Sequence, residues 1–200
     1  MDQQEGVRRR DAAATREAIL HSARKAFARS GYDGVGVREI AAGAGVTAML
    51  VNRYFGSKEQ LFIDVLDECM RQPRVMSDDN IKSPTAARDL ATALVRQTER
   101  GAPPLDGFMI MLHSASSAQA APYARKLVEE HHHRTLAQGL DGQLAPQRAA
   151  LVLSLVSGFQ VMRQMYGLSA LADADSETLI DLLTPLLEQL IHPLGSPTAG

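Results

Sequence analysis

The sequence predicts an all-α protein in which a three-helix N-terminal head precedes a larger helical body. Apolar residues recur at the three- and four-residue spacing of amphipathic helices along most of the 200 residues. Aromatic residues make up 4% of the chain and Trp is absent. The β-branched and aromatic runs typical of strands are therefore missing, and the core must come from aliphatic side chains and Met on packed helices.

The composition also limits the compartment and the class of protein. The single cysteine, Cys69, excludes an intramolecular disulfide and fits a reducing environment. The chain opens with the polar, basic stretch Met1 to Asp11, which does not resemble a signal peptide. The most apolar stretch, Ala149 to Met162, is too short and too interrupted to span a bilayer. We expect a cytoplasmic protein with no membrane partner.

Positive charge is concentrated at the N-terminal end. Through Phe62 the chain has ten Lys or Arg against seven Asp or Glu, and beyond it eleven against sixteen. The run Arg8-Arg9-Arg10 lies in residues 1–10, which we predict to be a flexible basic arm. Such an arm can follow phosphates or enter a minor groove, or it can be a solvated charge run.

The first predicted helix runs from about Asp11 to Ser30, with Ile19 and Phe27 on its apolar face. Gly31 is a C′ residue that ends it.

Residues 36–58, GVREIAAGAGVTAMLVNRYFGSK, contain two short helical patterns and a tight turn. The first runs from Val37 to Gly43, and Gly45 can adopt the positive φ of a sharp turn. Thr47 is a good N-cap for the second, from Ala48 to Phe55. Helices this short cannot bury their faces alone, and their best-known use is the helix-turn-helix, whose second helix enters the DNA major groove.

Two motifs, TREAILHSARKAFARSGYDGVGVREIAAGAGV and RYFGSKEQLF, make residues 15–62 resemble the DNA-binding domain of the TetR family of transcriptional regulators. The resemblance implies a helix-turn-helix DNA-binding domain over residues 11–58. It also implies an effector-binding and dimerisation domain over 59–193, followed by a flexible tail over 194–200. The implied DNA partner is a palindromic operator, read by one head per half-site.

Candidate DNA contacts cluster around the second helix of this motif. Asn52 stands where the family often has a phosphate-binding Tyr, and Asn can pair with adenine N6 and N7 or donate to a phosphate. The resemblance makes Tyr54 and Lys58 phosphate contacts, although Tyr54 can instead be packing and Lys58 a solvated charge. Ser57 and Gln60 form an S-x-x-Q capping box at the start of the next helix. The predicted DNA-binding residues are Arg38, Thr47, Ala48, Asn52, Arg53, Tyr54 and Lys58.

The body contains a nearly all-apolar helix from Leu105 to Ala118 that suits either a ligand cavity or plain core. Its Met residues adapt to irregular guests, and His113 is a candidate polar anchor. We predict an effector pocket lined by Phe108, Met111, Leu112, His113, Phe159 and Met162.

A metal site and catalysis are not predicted. The run His131-His132-His133 cannot converge on one ion, because consecutive helical residues point about 100° apart. No phosphate-cradling Gly loop, G-x-S-x-G elbow or other catalytic constellation is present in the sequence. We therefore expect no enzyme and no cofactor.

The last two predicted helices, about residues 146–166 and 176–192, have apolar residues on more than one face. Pairing of two copies into a four-helix bundle would bury this surface, as in TetR-like homodimers. Alternatively, both helices are core. Pro185 should bend the second one.

These observations predict a repressor that an unknown small-molecule effector releases from its operator. The competing hypothesis is a helical ligand-binding or protein-interaction module whose head lacks specific DNA recognition. Asn52 and Gly36, which replaces the usual Ser or Thr cap, keep that alternative open.

Overall fold

The computed structural model describes residues 2–70, 81–102 and 105–192, with side chains described for 11–69 and for the two later ranges. The described residues form helices and no strand, which confirms the predicted all-α class. Two π-helical stretches, Val128–His133 and Val161–Met165, continue the helices that precede them. The α-helices are α1 (Asp2–Ser30), α2 (Val37–Gly43), α3 (Ala48–Phe55), α4 (Lys58–Met70), α5 (Ala86–Gln97), α6 (Asp106–His113), α7 (Ala121–Leu127), α8 (Arg134–Gly139), α9 (Ala145–Gln160), α10 (Ser169–Ala172) and α11 (Ser176–Ile191).

The chain divides into two compact units. One comprises Met1–Pro73 and Leu105–Lys126 and is called the head unit below; the other comprises Arg74–Pro104 and Leu127–Gly200 and is called the body unit. Compactness does not define function, so the domain boundaries 11–58 and 59–193 stay predictions. The predicted tail, residues 194–200, lies outside the described residues.

Helix α1 begins at Asp2 and not near Asp11 as the sequence predicted. Residues 2–10 are therefore helical where we expected a flexible arm. Six of these nine residues are Gln, Glu or Arg, which have good intrinsic helix propensity, and they extend the helix without a Pro to stop it. Ile19 and Phe27 are fully buried, as the apolar pattern predicted.

An aromatic cluster of Phe27, Tyr32 and Phe62 forms the centre of the head unit. Phe62 meets the other two rings edge to face, with centroids 5.1 Å from each, while Phe27 and Tyr32 stack at 6.2 Å. Edge-to-face and offset-stacked pairs at these distances add stabilisation beyond the apolar area they bury. The cluster ties the end of α1 to α4.

Helix α6 is fixed along α1 by polar contacts. Arg24 Nε donates to Asp106 Oδ2 over 2.8 Å. At the other end of α6, His113 Nδ1 donates to the carbonyl oxygen of Ala28 over 2.8 Å. The predicted helix 105–118 is shorter in the structure, since α6 ends at His113. Four of the six predicted pocket residues therefore lie on a helix of the head unit: Phe108, Met111, Leu112 and His113.

The body unit has a continuous apolar core between α5 and α11, to which α8 and α9 contribute. Leu90 and Leu94 of α5 and Leu183 and Leu187 of α11 are all buried. Pro185 lies inside α11, which continues on both sides of it. No helix among the described residues is long and apolar enough to cross a bilayer.

The histidine run lies in the π-helical stretch Val128–His133. A hydrogen bond of 2.8 Å joins His133 Nε2 to the carbonyl oxygen of Pro146 at the start of α9. Within residues 2–70, 81–102 and 105–192, no three His, Cys, Asp or Glu side chains are grouped so that they could hold a metal ion.

Arg163 is a buried cation that binds main-chain oxygens. Its guanidinium donates to the carbonyl oxygens of Val95 at 2.7 Å and Leu171 at 3.0 Å, and to Thr98 Oγ1 at 3.0 Å. Burial lowers the pKa of Arg163, and the nearby charge of Glu99 opposes that shift. Arg163 thereby satisfies oxygens at the end of α5 and holds them next to α10.

Arg148 is a second buried cation of the body unit that binds main-chain oxygens. Its guanidinium donates to the carbonyl oxygens of Leu190 and Ile191, each at 3.1 Å, which are among the last of α11. Two further bonds go to the carbonyl oxygens of Asp141 and Gln143, between α8 and α9. A cation at a helix C-terminus also complements the negative end of the helix dipole.

We predict that Gly31→Ala destabilises the protein more than Gly45→Ala. Both glycines have positive φ, so each substitution costs about 1–2 kcal/mol of left-handed strain. A Cβ at Gly31 would also lie 2.5 Å from the carbonyl oxygen of His113, whereas one at Gly45 would meet nothing within 4 Å. Urea unfolding of both variants measures the difference. Equal losses of unfolding free energy in the two variants would show that the His113 carbonyl moves away from the new methyl group without an energetic cost, contrary to the prediction.

We also predict that Arg163→Met lowers the free energy of unfolding by about 2–3 kcal/mol, because buried oxygens lose their donor. Arg96→Met is the matched control: Arg96 is exposed on α5, and a surface change of this kind costs within about 0.5 kcal/mol. Thermal and urea unfolding compare the two variants. A loss in Arg163→Met no larger than in the control would refute the anchoring role.

Candidate nucleic-acid interface

Helices α2 and α3 meet at a tight turn centred on Gly45. Its φ of 68° confirms the predicted left-handed conformation. Main-chain bonds close the turn: the N–H of Val46 donates to Ala41 O over 2.9 Å, and that of Ala44 to Ile40 O over 3.0 Å. The two helices are thus held in a fixed relation, as a helix-turn-helix requires.

Helix α3 begins with the predicted cap. The side chain of Thr47 accepts a hydrogen bond from the N–H of Leu50 over 3.3 Å. Val51 and Phe55 are buried. They lie about 40° apart around the helix, since successive residues turn by about 100°. Burial of these two side chains determines which face of α3 remains open to solvent.

The open face of α3 carries Met49, Asn52 and Arg53, all three exposed. Asn52 and Arg53 lie within about 60° of Met49 around the helix. Sequence reasoning predicted Asn52 and Arg53 as DNA contacts but left Met49 unassigned, because the sequence does not show how two short helices pack. The structure shows that the Met49 side chain is exposed, unlike the buried Val51 and Phe55 of the same helix.

The other predicted contacts occupy less uniform positions. Thr47 is exposed beside the open face of α3, and Arg38 is exposed in the first turn of α2. Ala48 is half-buried. Tyr54 is also half-buried, and its ring lies 6.5 Å from that of Phe55. Its packing role is therefore visible in the structure, and its phosphate contact stays a prediction.

Lys58 lies at the first residue of α4, held against an aromatic ring. Its Nζ is 4.2 Å from the ring centroid of Tyr32, within the range of a cation–π interaction. Burial lowers the pKa of Lys58, while the charge of Asp33 acts in the opposite direction. The sequence alone did not predict this contact, because Tyr32 and Lys58 are far apart along the chain.

Only one of the two hydrogen bonds of the predicted capping box forms at the start of α4. Ser57 Oγ accepts a hydrogen bond from the N–H of Gln60 over 3.1 Å, which confirms the cap. The Gln60 side chain does not reach back; it donates to Asp64 Oδ1 over 2.8 Å. Asp64 also pairs with Arg16 at 2.6 Å, and the Arg16 guanidinium lies 5.0 Å from the Phe55 ring centroid. The side-chain amide of Gln60 thus binds the carboxylate of Asp64 and not the backbone of Ser57. Through Asp64 and Arg16, these contacts connect α4 to α1 and α3.

Helix α2 begins without a side-chain cap. Gly36 is the N-cap and has no side-chain bond. The carboxylate of Glu39 pairs with Arg29 of α1 instead. Glu39 therefore ties the first turn of α2 to α1.

The predicted effector residues fall in both units. Phe108 and Met111 are half-buried on α6, and Leu112 and His113 on the same helix are exposed. In the body unit, Phe159 is buried and its ring centroid lies 5.8 Å from the guanidinium carbon of Arg163, whereas Met162 is exposed. A common pocket for the six stays a prediction.

Comparison with known families gives two matches. The family model described as bacterial regulatory proteins, tetR family, matches residues 19–65. A second model, described as tetracyclin repressor-like, C-terminal domain, matches residues 85–191, more than half of the chain. Together they cover the helix-turn-helix and most of the body unit.

Curated relatives match over part of their length. The transcriptional repressor NicS of Pseudomonas putida is 42% identical over 62 residues, which are 31% of this chain and 29% of NicS. The regulator BetI of Rhizobium meliloti is 33% identical over 85 residues, 42% of each chain. The aligned part thus spans less than half the length of either relative.

Solved structures share the fold over nearly the whole chain. NalD of Pseudomonas aeruginosa, the secondary repressor of a multidrug efflux pump, superposes with a TM-score of 0.67 at 19% identity, covering 92% of this chain and 100% of NalD. FadR of Bacillus subtilis gives 0.64 at 19% identity, covering 89% and 98%. With the family models matched at both ends, these likenesses agree with the geometry described above, and the chain belongs to the TetR family of bacterial regulatory proteins.

Proposed function

We propose that this chain is a transcriptional repressor that binds a palindromic operator as a homodimer and is released by a small-molecule effector. The observation that carries the proposal is the open face of α3, where exposed Asn52 and Arg53 extend from a helix whose opposite face is buried. NicS and NalD, to which the chain is similar, are repressors by name. The activity is binding and not catalysis, and it takes place in the cytoplasm, where the operator is.

The contacts divide into readers and phosphate holders. Asn52 pairs with adenine, and Arg53 reaches guanine or the sugar–phosphate backbone. Lys58, at the Ser57-capped start of α4, meets a phosphate together with the free N–H groups and positive dipole end of that helix. The ring of Tyr32 supports this ammonium from the protein side. Phosphate contacts of this kind set position and affinity, while the base contacts select sequence.

The dimer interface we propose comprises α9 with its π-helical continuation and α11. Leu151 is 55% exposed and Leu182 63% exposed, on helices whose other faces are buried in the core. Isolated exposed apolar residues are ordinary, but several on two helices that pack together indicate an unfilled interface. The other exposed apolar side chains of these segments are Met162, Met165 and Leu186.

The effector is proposed to bind among the helices and to favour a state in which the heads no longer match the operator. It must bind one state more tightly than the other, or it shifts nothing. Structures of relatives include FadR in complex with stearoyl-CoA, and AibR in complex with isovaleryl coenzyme A and operator DNA. Acyl-CoA compounds are therefore a rational first panel for thermal-shift screening of this chain.

The proposal predicts a palindromic motif in selection from random duplex DNA. Lys58→Ala should weaken binding about equally for all sequences and reduce the salt slope by about 1, because one phosphate contact is lost. Lys82→Ala, an exposed lysine of the body unit, is the matched control and should change neither. Asn52→Ala should relax the preference at one position, worth about 1–3 kcal/mol of discrimination.

Fluorescence anisotropy at several salt concentrations measures these effects. Selection is repeated with cell extract, which supplies a possible co-ligand. No motif in either selection would refute the proposed function and leave the alternative, a helical ligand-binding or interaction module.

The dimer proposal predicts that Leu182→Lys yields monomers at micromolar concentration, because two buried ammonium groups would face each other across a two-fold interface. Leu112→Lys, at an exposed leucine of the head unit, is the control and should remain dimeric. Sedimentation equilibrium gives the mass of each. A dimeric Leu182→Lys protein would place the interface elsewhere.

A further inference from the structure

Met49 is the most exposed large apolar side chain of the protein among the described residues, at 79% of its accessible area. It lies in the first turn of α3, between the N-cap residue Thr47 and Asn52, the proposed base contact. In the described part of the head unit, Leu112 is the other exposed side chain of this kind. Met49 therefore contributes little to the packing of the free protein, and its apolar surface is available to a partner.

The position of Met49 indicates which partner buries it. Asn52 and Arg53, one turn later, lie within about 60° of it around α3, so all three project from one face. That face is the one proposed to enter the major groove. In the major groove the apolar feature is the C5-methyl group of thymine, and the other groups that distinguish the base pairs are hydrogen-bond donors and acceptors. A thioether side chain has a flexible, polarisable surface that adapts to such a group.

We propose that Met49 is a specificity-determining residue that reads a thymine methyl group in each operator half-site. The inference rests on the proposed function, which it deepens by naming the atom recognised. Three residues along a helix rise about 4.5 Å, close to the spacing of about 3.4 Å between successive bases of one strand. The thymine contacted by Met49 therefore belongs to the base pair read by Asn52 or to its neighbour.

The test removes the methyl group from the DNA and the side chain from the protein independently. Each thymine of the selected operator is replaced in turn, in both half-sites, by deoxyuridine, which lacks only the C5-methyl group. For the unmodified protein we expect one position per half-site at which affinity falls by about fourfold per methyl, the effect of exposing one buried carbon.

Met49→Ala should bind the thymine operator more weakly and should lose the penalty for deoxyuridine at that position only. At every other thymine the two proteins should respond alike, which serves as the internal control. Met49→Gln, nearly the same length but polar, should also lose the penalty, and this separates apolar contact from simple filling of space. Because Met49 is so exposed, thermal unfolding of both variants should match that of the unmodified protein.

The possible failures are distinct. A clear motif with the same deoxyuridine penalties in Met49→Ala as in the unmodified protein would refute the inference and leave the proposed function intact. Absence of any motif in the selection would refute both. A lowered melting temperature of Met49→Ala together with unchanged penalties would show that the side chain is structural and would also overturn the inference.

Discussion

The aromatic cluster of Phe27, Tyr32 and Phe62 is the interaction on which the head unit depends. It joins the end of α1 to α4, and it does so with rings only 5.1–6.2 Å apart, which leaves little freedom for either helix to slide. The Tyr32 ring also makes a cation–π contact with Lys58. The same side chain therefore packs the core and positions the ammonium proposed to meet a phosphate.

A second set of contacts, between polar side chains on the surface of the head unit, connects α1, α3 and α4. Asp64 receives both Arg16 and Gln60, and the Arg16 guanidinium lies over Phe55, which anchors the buried face of α3. Exposed ion pairs alone add little stability. Here they share partners across three helices, since Asp64 of α4 binds Arg16 of α1 and Arg16 contacts Phe55 of α3.

Local signals predicted the reading motif well. The bounds of α2 and α3, the positive φ of Gly45 and the cap at Thr47 follow from glycine freedom, hydroxyl capping and apolar spacing within a few residues. Contacts between distant residues were not predictable in this way. The pairing of Arg16 with Asp64 and the contact of Lys58 with the Tyr32 ring are of this kind, since only the folded chain brings these residues together. The helical stretch before Asp11 shows the opposite error, since a polar composition was interpreted as an arm although its residues favour a helix.

Arg148 and Arg163 bind mainly to carbonyl oxygens, and those atoms are present whatever side chain the residue carries. Residues such as Val95, Leu171 and Leu190 can therefore be exchanged in evolution without removing the acceptors that hold the helices together. Anchors of this kind separate the architecture of the body unit from the identity of many of its side chains. The side chains of these helices can then change while the frame that carries them persists.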